Sequence, residues 1–199
     1  LSSKAAPAAL LLLLLPAAVA GAGSQPVPAF RAGVFDPPRA APEFELSGST
    51  GSPVKLSQYR GKVVALAFGF TYCPRICPVT LANLAKTFEK LGPDASQVQV
   101  VFVSVDPERD TPQRMREFLE FFNPGFVGVT GTSAQLEAVR RQFGISAEKV
   151  ISENKQLGYE VHHSSFVYLI DRQGRLRLLM PFGKTADDLA HDVALLLKE

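Results

Sequence analysis

From Val63 to Phe70 the chain reads VVALAFGF, a near-continuous apolar run. Such a run without polar alternation is expected of a central strand covered on both faces. Val98 to Val105 repeats the pattern and predicts a second buried strand. Between them Leu81, Leu84, Ala85, Phe88 and Leu91 recur at helical spacing, and Gly92-Pro93 marks the end of that helix. Thr111-Pro112 has the form of an N-cap followed by Pro at the first helical position, opening a helix through Phe122. Gln135 to Phe143 predicts a further short helix, stopped by Gly144. Phe166 to Ile170 and Leu176 to Met180 flank Asp171-Arg172-Gln173-Gly174, a hairpin with Gly at its tight end. Leu189, Val193, Leu196 and Leu197 share one side of a closing amphipathic helix. Phe44 to Leu46 and Val54 to Leu56, around a turn from Gly48 to Pro53, predict a short opening hairpin.

Strand, helix, strand, helix, hairpin and helix is the element order of a thioredoxin-like α/β domain. The expected architecture is a central mixed sheet flanked by helices, with an N-terminal hairpin extension, over residues 43–199. Two segments precede it. Residues 24–42 carry Pro at 26, 28, 37, 38 and 42 and read as an extended, Pro-rich linker. Residues 1–23 show Lys4 as a positive n-region, Leu10 to Leu15 as an apolar centre and Ala18-Val19-Ala20 as a cleavage signal. That is the layout of a secretory signal peptide. The uncharged stretch over residues 5–23 also approaches the length of a membrane span, so a retained membrane anchor is the second expectation. Leu1 in place of Met is expected of a fragment or an unusual start codon. Either fate of the leader places the working domain outside the cytoplasm, periplasmic or anchored facing the periplasm, where copper and thiol redox chemistry are both permitted.

Composition narrows the chemistry. The 199 residues hold 21 basic and 19 acidic side chains, a net charge of +2, which gives no support to a nucleic-acid partner. Two Met exclude a Met-rich metal tract, and two Cys exclude a four-thiolate zinc site or a disulfide-dense scaffold. Cys73 and Cys77 stand as a Cys-x-x-x-Cys pair where the first buried strand meets its helix. A helix N-terminus offers unsatisfied N–H groups and the positive end of the dipole, both favouring thiolate. Arg75, between the sulfurs, pushes the same way. Thiolate attacks disulfides and binds soft metals. A purely structural bridge over so small a loop gains little chain entropy. One residue more than the thioredoxin spacing lets the sulfurs splay around one ion and still close as a disulfide.

A third ligand must come from three histidines. His191 lies beside Asp187 and Asp188 on the last helix and reads as a solvated surface residue. His162 and His163 immediately precede the hairpin strand. If that stretch is extended, alternation points them to opposite faces, so at most one readily meets the cysteines.

Three blocks carry a resemblance. They are Gly69-Phe70-Thr71-Tyr72-Cys73-Pro74-Arg75-Ile76-Cys77-Pro78, Val103-Ser104-Val105-Asp106-Pro107-Glu108-Arg109-Asp110-Thr111-Pro112, and Val161-His162-His163-Ser164-Ser165-Phe166-Val167-Tyr168-Leu169-Ile170-Asp171. The chain resembles the Sco/SenC family, thioredoxin-like copper proteins associated with assembly of the binuclear copper centre of cytochrome c oxidase. The likeness extends from about Gly33 to the C-terminus. It implies a copper-binding metallochaperone, with a cytochrome c oxidase subunit and other periplasmic copper chaperones as partners. It also implies Cys73, Cys77 and His163 as the metal ligands, since the family's ligand His is usually preceded by Asp and followed by Ser or Thr. Here His162 stands in the place of that Asp.

A second departure is Arg75, where the family often has Asp or Thr; its charge opposes a bound cation while favouring thiolates. Ordinary thioredoxins place a cis-Pro near Ser164, and no Pro lies between Val150 and Met180, which argues against a plain disulfide reductase. Two thiolates and an imidazole suit Cu(I) in near-trigonal geometry, and Cu(II) with an added ligand. Zinc with a water also accepts them. Asp106 and Asp110 read as loop-capping or site-bordering residues, since hard carboxylates suit soft copper poorly. The alternative is that Cys73 and Cys77 cycle as a redox pair to reduce the cysteines of a copper-site partner. A peroxidase fits poorly, because both cysteines lie in one short motif.

Overall fold

The computed structural model describes residues 29–153 and 158–199. The expected leader, 1–23, and the front of the expected linker lie outside the described residues. Strands β4 (Val63–Gly69) and β5 (Val98–Ser104) form the buried parallel pair that their apolar runs predict. Parallel to β5 runs β6 (Val127–Thr130), a strand too short and glycine-interrupted to stand out in the sequence. On the other side β4 pairs antiparallel with β9 (Phe166–Ile170), and β9 with β10 (Arg175–Pro181). The opening hairpin, β2 (Glu45–Gly48) and β3 (Pro53–Lys55), joins through β2 to β6. With β1 (Gly33–Ala40) the order is β1-β10-β9-β4-β5-β6-β2-β3, a mixed sheet of eight strands.

Strand β1 changes the expectation of a spacer over 24–42. Gly33 and Val34 pair with Leu179 and Leu178, and after a register shift Arg39 and Ala40 pair with Leu176 and Arg175. Pro37 and Pro38 fall within that shift, at a sheet edge where a missing N–H forfeits no ladder bond. The buried carboxylate of Asp192 accepts the backbone N–H groups of Arg31 and Ala32 at 2.9 Å each, and Phe35 stacks on Tyr168. Proline content signals the lack of regular ladder bonding but is silent about these tertiary partners.

Helix α1 (Ile76–Leu91) follows β4, and α2 (Pro112–Glu120) follows β5. Thr111 caps α2 by accepting from Arg114 N–H, with Pro112 behind it as expected. Helix α3 (Ser133–Phe143) opens on a Thr132–Gln135 capping box and ends at Gly144, whose φ of 70° is the left-handed conformation that stops a helix. Helix α4 (Ala186–Leu196) opens on a Thr185–Asp188 box and packs along α1. Alternation along β4 and β5 puts Phe68 and Phe102 on opposite faces; Phe143 of α3 meets the first and Phe118 of α2 the second. Apart from this sheet, β7 (Ala147–Ile151) and β8 (Tyr159–His163) pair only with each other. Their polar sequences, AEKVI and YEVHH, give no apolar run to predict them.

Candidate metal centre

The cysteine loop is built directly on the end of β4. Gly69 closes the strand, and a Cβ there would stand 2.7 Å from Cys77 Sγ and 2.5 Å from the Phe102 ring. Only glycine lets the second sulfur and the core aromatic approach the backbone so closely. Thr71, next in line, is held from below. Its N–H and hydroxyl donate to Asp110 at 3.1 and 2.7 Å, and Ser104 donates to the same buried carboxylate at 2.7 Å. Asp110 thus caps the loop, as its residue type suggests. Burial raises its pKa above the usual carboxyl value, against the opposing hydrogen bonds from Ser104 and Thr71.

Helix α1 has no conventional side-chain cap. The sulfur of Cys73 takes that place, accepting from Cys77 N–H at 3.4 Å. Neither cysteine is in a disulfide; Cys77 is buried and Cys73 half-buried. A hydrogen bond from the Cys77 thiol, with those from the Cys77 and Arg75 backbone, lowers Cys73 to about 4, against the effect of burial. Donating that bond, together with burial and the neighbouring negative charge, pushes Cys77 up. These opposite shifts favour the negative charge on Cys73 and the proton on Cys77.

Strand β8 brings the histidine. His162 is exposed, while His163 turns inward to the cysteines, so the two do face opposite ways. His163 Nε2 lies 3.8 Å from Cys77 Sγ, and its Nδ1 is 2.9 Å from the carbonyl of Ser164. A carbonyl only accepts, so Nδ1 carries the proton and Nε2 turns its lone pair to the sulfur. The ring also stands edge-on to Phe70, with centroids 5.9 Å apart. A groove of about 540 Å³ opens beside Cys73 and His163, lined also by Phe70, Arg75, Ile76 and Glu160 among others.

The structure thus gathers all three sequence-predicted donors. Among the described residues, no three His, Cys, Asp or Glu side chains stand in ready-made metal-ligating positions. Closing this trio on an ion requires a side-chain adjustment, for which half-buried Cys73 has room. Asp106 and Asp110 are occupied elsewhere, Asp106 with Arg109 and Tyr159. His191 lies away from the trio and meets the Ala29 carbonyl at 3.1 Å. Sequence reasoning missed Arg109 and Tyr159 as neighbours of the site, although Arg109 falls inside a motif block. Its partner lies 50 residues away, and nothing local marks the pairing.

A thioredoxin-like fold carrying two thiols and one imidazole with a free lone pair defines a soft-donor, redox-capable site. The SCO1/SenC family pattern matches residues 35–198, and the chain belongs to that family. It is 38% identical over 132 residues to the SCO2-like protein RP587 of Rickettsia prowazekii, covering 66% of this chain and 64% of that one. The match therefore spans just under two thirds of that relative's length. Among solved structures, apo Sco1 from Thermus thermophilus shares 37% identity at a TM-score of 0.75, covering 85% of this chain and 98% of its own. Arabidopsis thaliana ScoI with copper bound shares 31% at 0.74, covering 80% and 99%.

Proposed function

We propose that this protein is a copper metallochaperone in which Cys73, Cys77 and His163 hold the ion and pass it on by ligand exchange. The observation that carries the reading is geometric: His163 Nε2 stands 3.8 Å from Cys77 Sγ while its Nδ1 is engaged by the Ser164 carbonyl, and the Cys73 sulfur lies against the Cys77 N–H. Two sulfurs and one nitrogen favour copper over hard cations, and the copper-bound relative supports copper over zinc. The family resemblance supplies the acceptor, a cytochrome c oxidase subunit being fitted with its copper centre. The leader pattern supplies an extracytoplasmic location. No helix among the described residues is long and apolar enough to cross a membrane; the leader pattern offers residues 5–23 as a membrane attachment.

Competition for Cu(I) against a chromogenic chelator, on reduced protein, tests the ligand set. Cys73→Ser and Cys77→Ser abolish tight binding, and His163→Ala weakens it by at least tenfold, about 1.4 kcal/mol. A His163→Ala variant that binds as tightly as wild type removes the histidine from the site.

The free dithiol supports a second reading, reduction of a partner's disulfide before metallation. Cys73 thiolate attacks the partner disulfide and releases one partner thiolate. Cys77 then loses its proton and attacks Cys73, releasing the second. The partner gains two electrons and this chain is left with a Cys73–Cys77 disulfide. Its reduction potential decides: a value well below about −300 mV marks a bridge too stable for ready exchange.

A further inference from the structure

His163 sits on a strand that the main sheet does not hold. Strand β8 pairs only with β7, in a sheet of two. At one end the pair is tied to the C-terminus of α3, where Ser164 N–H donates to the Ser146 carbonyl and Arg140 reaches the Ala147 carbonyl. The other end, at Tyr159, is gripped by Arg109 from the loop after β5. Arg109 donates to the Tyr159 carbonyl at 3.1 Å, lays its guanidinium 3.8 Å from the centre of the Tyr159 ring, and pairs with Asp106 at 2.5 Å. Tyr159 closes the circuit by donating its hydroxyl to Asp106 at 2.6 Å. Lys149 of β7 adds a bond to Glu108 of the same loop and lies over the Tyr159 ring.

The same guanidinium also faces the cysteine loop. It lies 4.9 Å from the Tyr72 ring and 5.7 Å from that of Phe70, the residue on which His163 rests edge-on. One cation thus touches the strand that carries the histidine and the loop that carries the cysteines. A planar fork that hydrogen-bonds at its edge and stacks on its face can make these contacts together; an ammonium cannot.

We propose that Arg109 is a positioning residue: it clamps the Tyr159 end of β8 to the cysteine loop and so keeps His163 within reach of Cys77. Releasing the clamp frees the Tyr159 end of β8 and loosens the hold on His163, which keeps its tie through Ser164, while both sulfurs stay in place, so transfer of the bound ion begins at the nitrogen. This rests on His163 being a ligand, but the clamp itself is a property of the metal-free protein.

Amide hydrogen exchange on reduced, metal-free protein reads the clamp directly. In Arg109→Met the amides of residues 159–163 exchange about tenfold faster, while those of β4 and β5 keep their wild-type rates. Arg109→Lys recovers only part of the protection. Cu(I) competition then compares Arg109→Met, His163→Ala and the double variant. Arg109→Met weakens binding, and the double variant binds no more weakly than His163→Ala alone. Unchanged exchange in β8, equal acceleration throughout the core, or additive losses of affinity would each overturn the proposal. If His163→Ala itself leaves affinity unaltered, the ligand assignment fails and the exchange result alone decides the clamp. Should Arg109→Met not fold, Arg109→Lys carries the same test, with an acceleration of about threefold in residues 159–163 expected and its absence contradicting the clamp.

Discussion

The two arms of the site are anchored in different ways. The cysteine arm continues a central strand: β4 is buried along its whole length, Gly69 seats Cys77, and Asp110 fastens Thr71 through two buried hydrogen bonds and is itself held by a third from Ser104, all at or below 3.1 Å. The histidine arm belongs to a separate two-stranded sheet, and side chains hold its Tyr159 end. Backbone ladder bonds inside a core open only with global unfolding, whereas side-chain clamps on a small sheet open locally. Under the proposed metallochaperone reading, one arm continuous with the core and one held by a clamp would let the site both keep an ion and give it up. On that reading both sulfurs lie on the arm built on β4, and the nitrogen on the arm that the clamp holds.

That contrast predicts where damage spreads. Asp110→Ala strands two buried donors of Thr71 and one of Ser104, and should lower global stability by about 3 kcal/mol in denaturant unfolding. A loss confined to the site, with an unchanged unfolding midpoint, would show that the cysteine arm is not welded to the core. Gly69→Ala drives a methyl group against Phe102 and Cys77 Sγ, and should cost about 1–3 kcal/mol of global stability. The histidine arm should behave otherwise. Tyr159→Phe removes one hydrogen bond, and its cost of about 1 kcal/mol should register in β7–β8 exchange but not in the melting temperature.

Proton affinity gives the smallest effect. Because the Cys73 pKa is lowered, its thiolate persists well below neutrality and is lost only as the pH falls through the folded value. Alkylation of Cys73 should therefore stay nearly constant from neutral pH to about pH 5 and decline near pH 4. An ordinary profile, falling from about pH 8.5, would deny the Cys77 hydrogen bond its effect.

How much of this was legible beforehand follows the same division. Strands β4 and β5 announce themselves because a strand covered on both faces must be apolar throughout, and Thr111-Pro112 and Gly144 mark helix ends by local chemistry. The Cys-x-x-x-Cys pair is legible for the same local reason. Strand β1 was hidden by Pro37 and Pro38, whose tolerance depends on an edge position that only tertiary structure creates. Strands β7 and β8 were hidden because their stability comes from partners, not from an apolar face. The chosen histidine could be named from the motif block, but not its tautomer, which depends on the Ser164 carbonyl. Nor could the Arg109–Tyr159 contact, which joins residues far apart in sequence.

Copper X-ray absorption on reduced protein carrying one equivalent of Cu(I) tests the central claim most directly. Two sulfur neighbours and one nitrogen are expected, with the nitrogen lost in His163→Ala and both sulfurs kept. A spectrum lacking two sulfurs, or one that His163→Ala leaves unchanged, contradicts a site made of Cys73, Cys77 and His163.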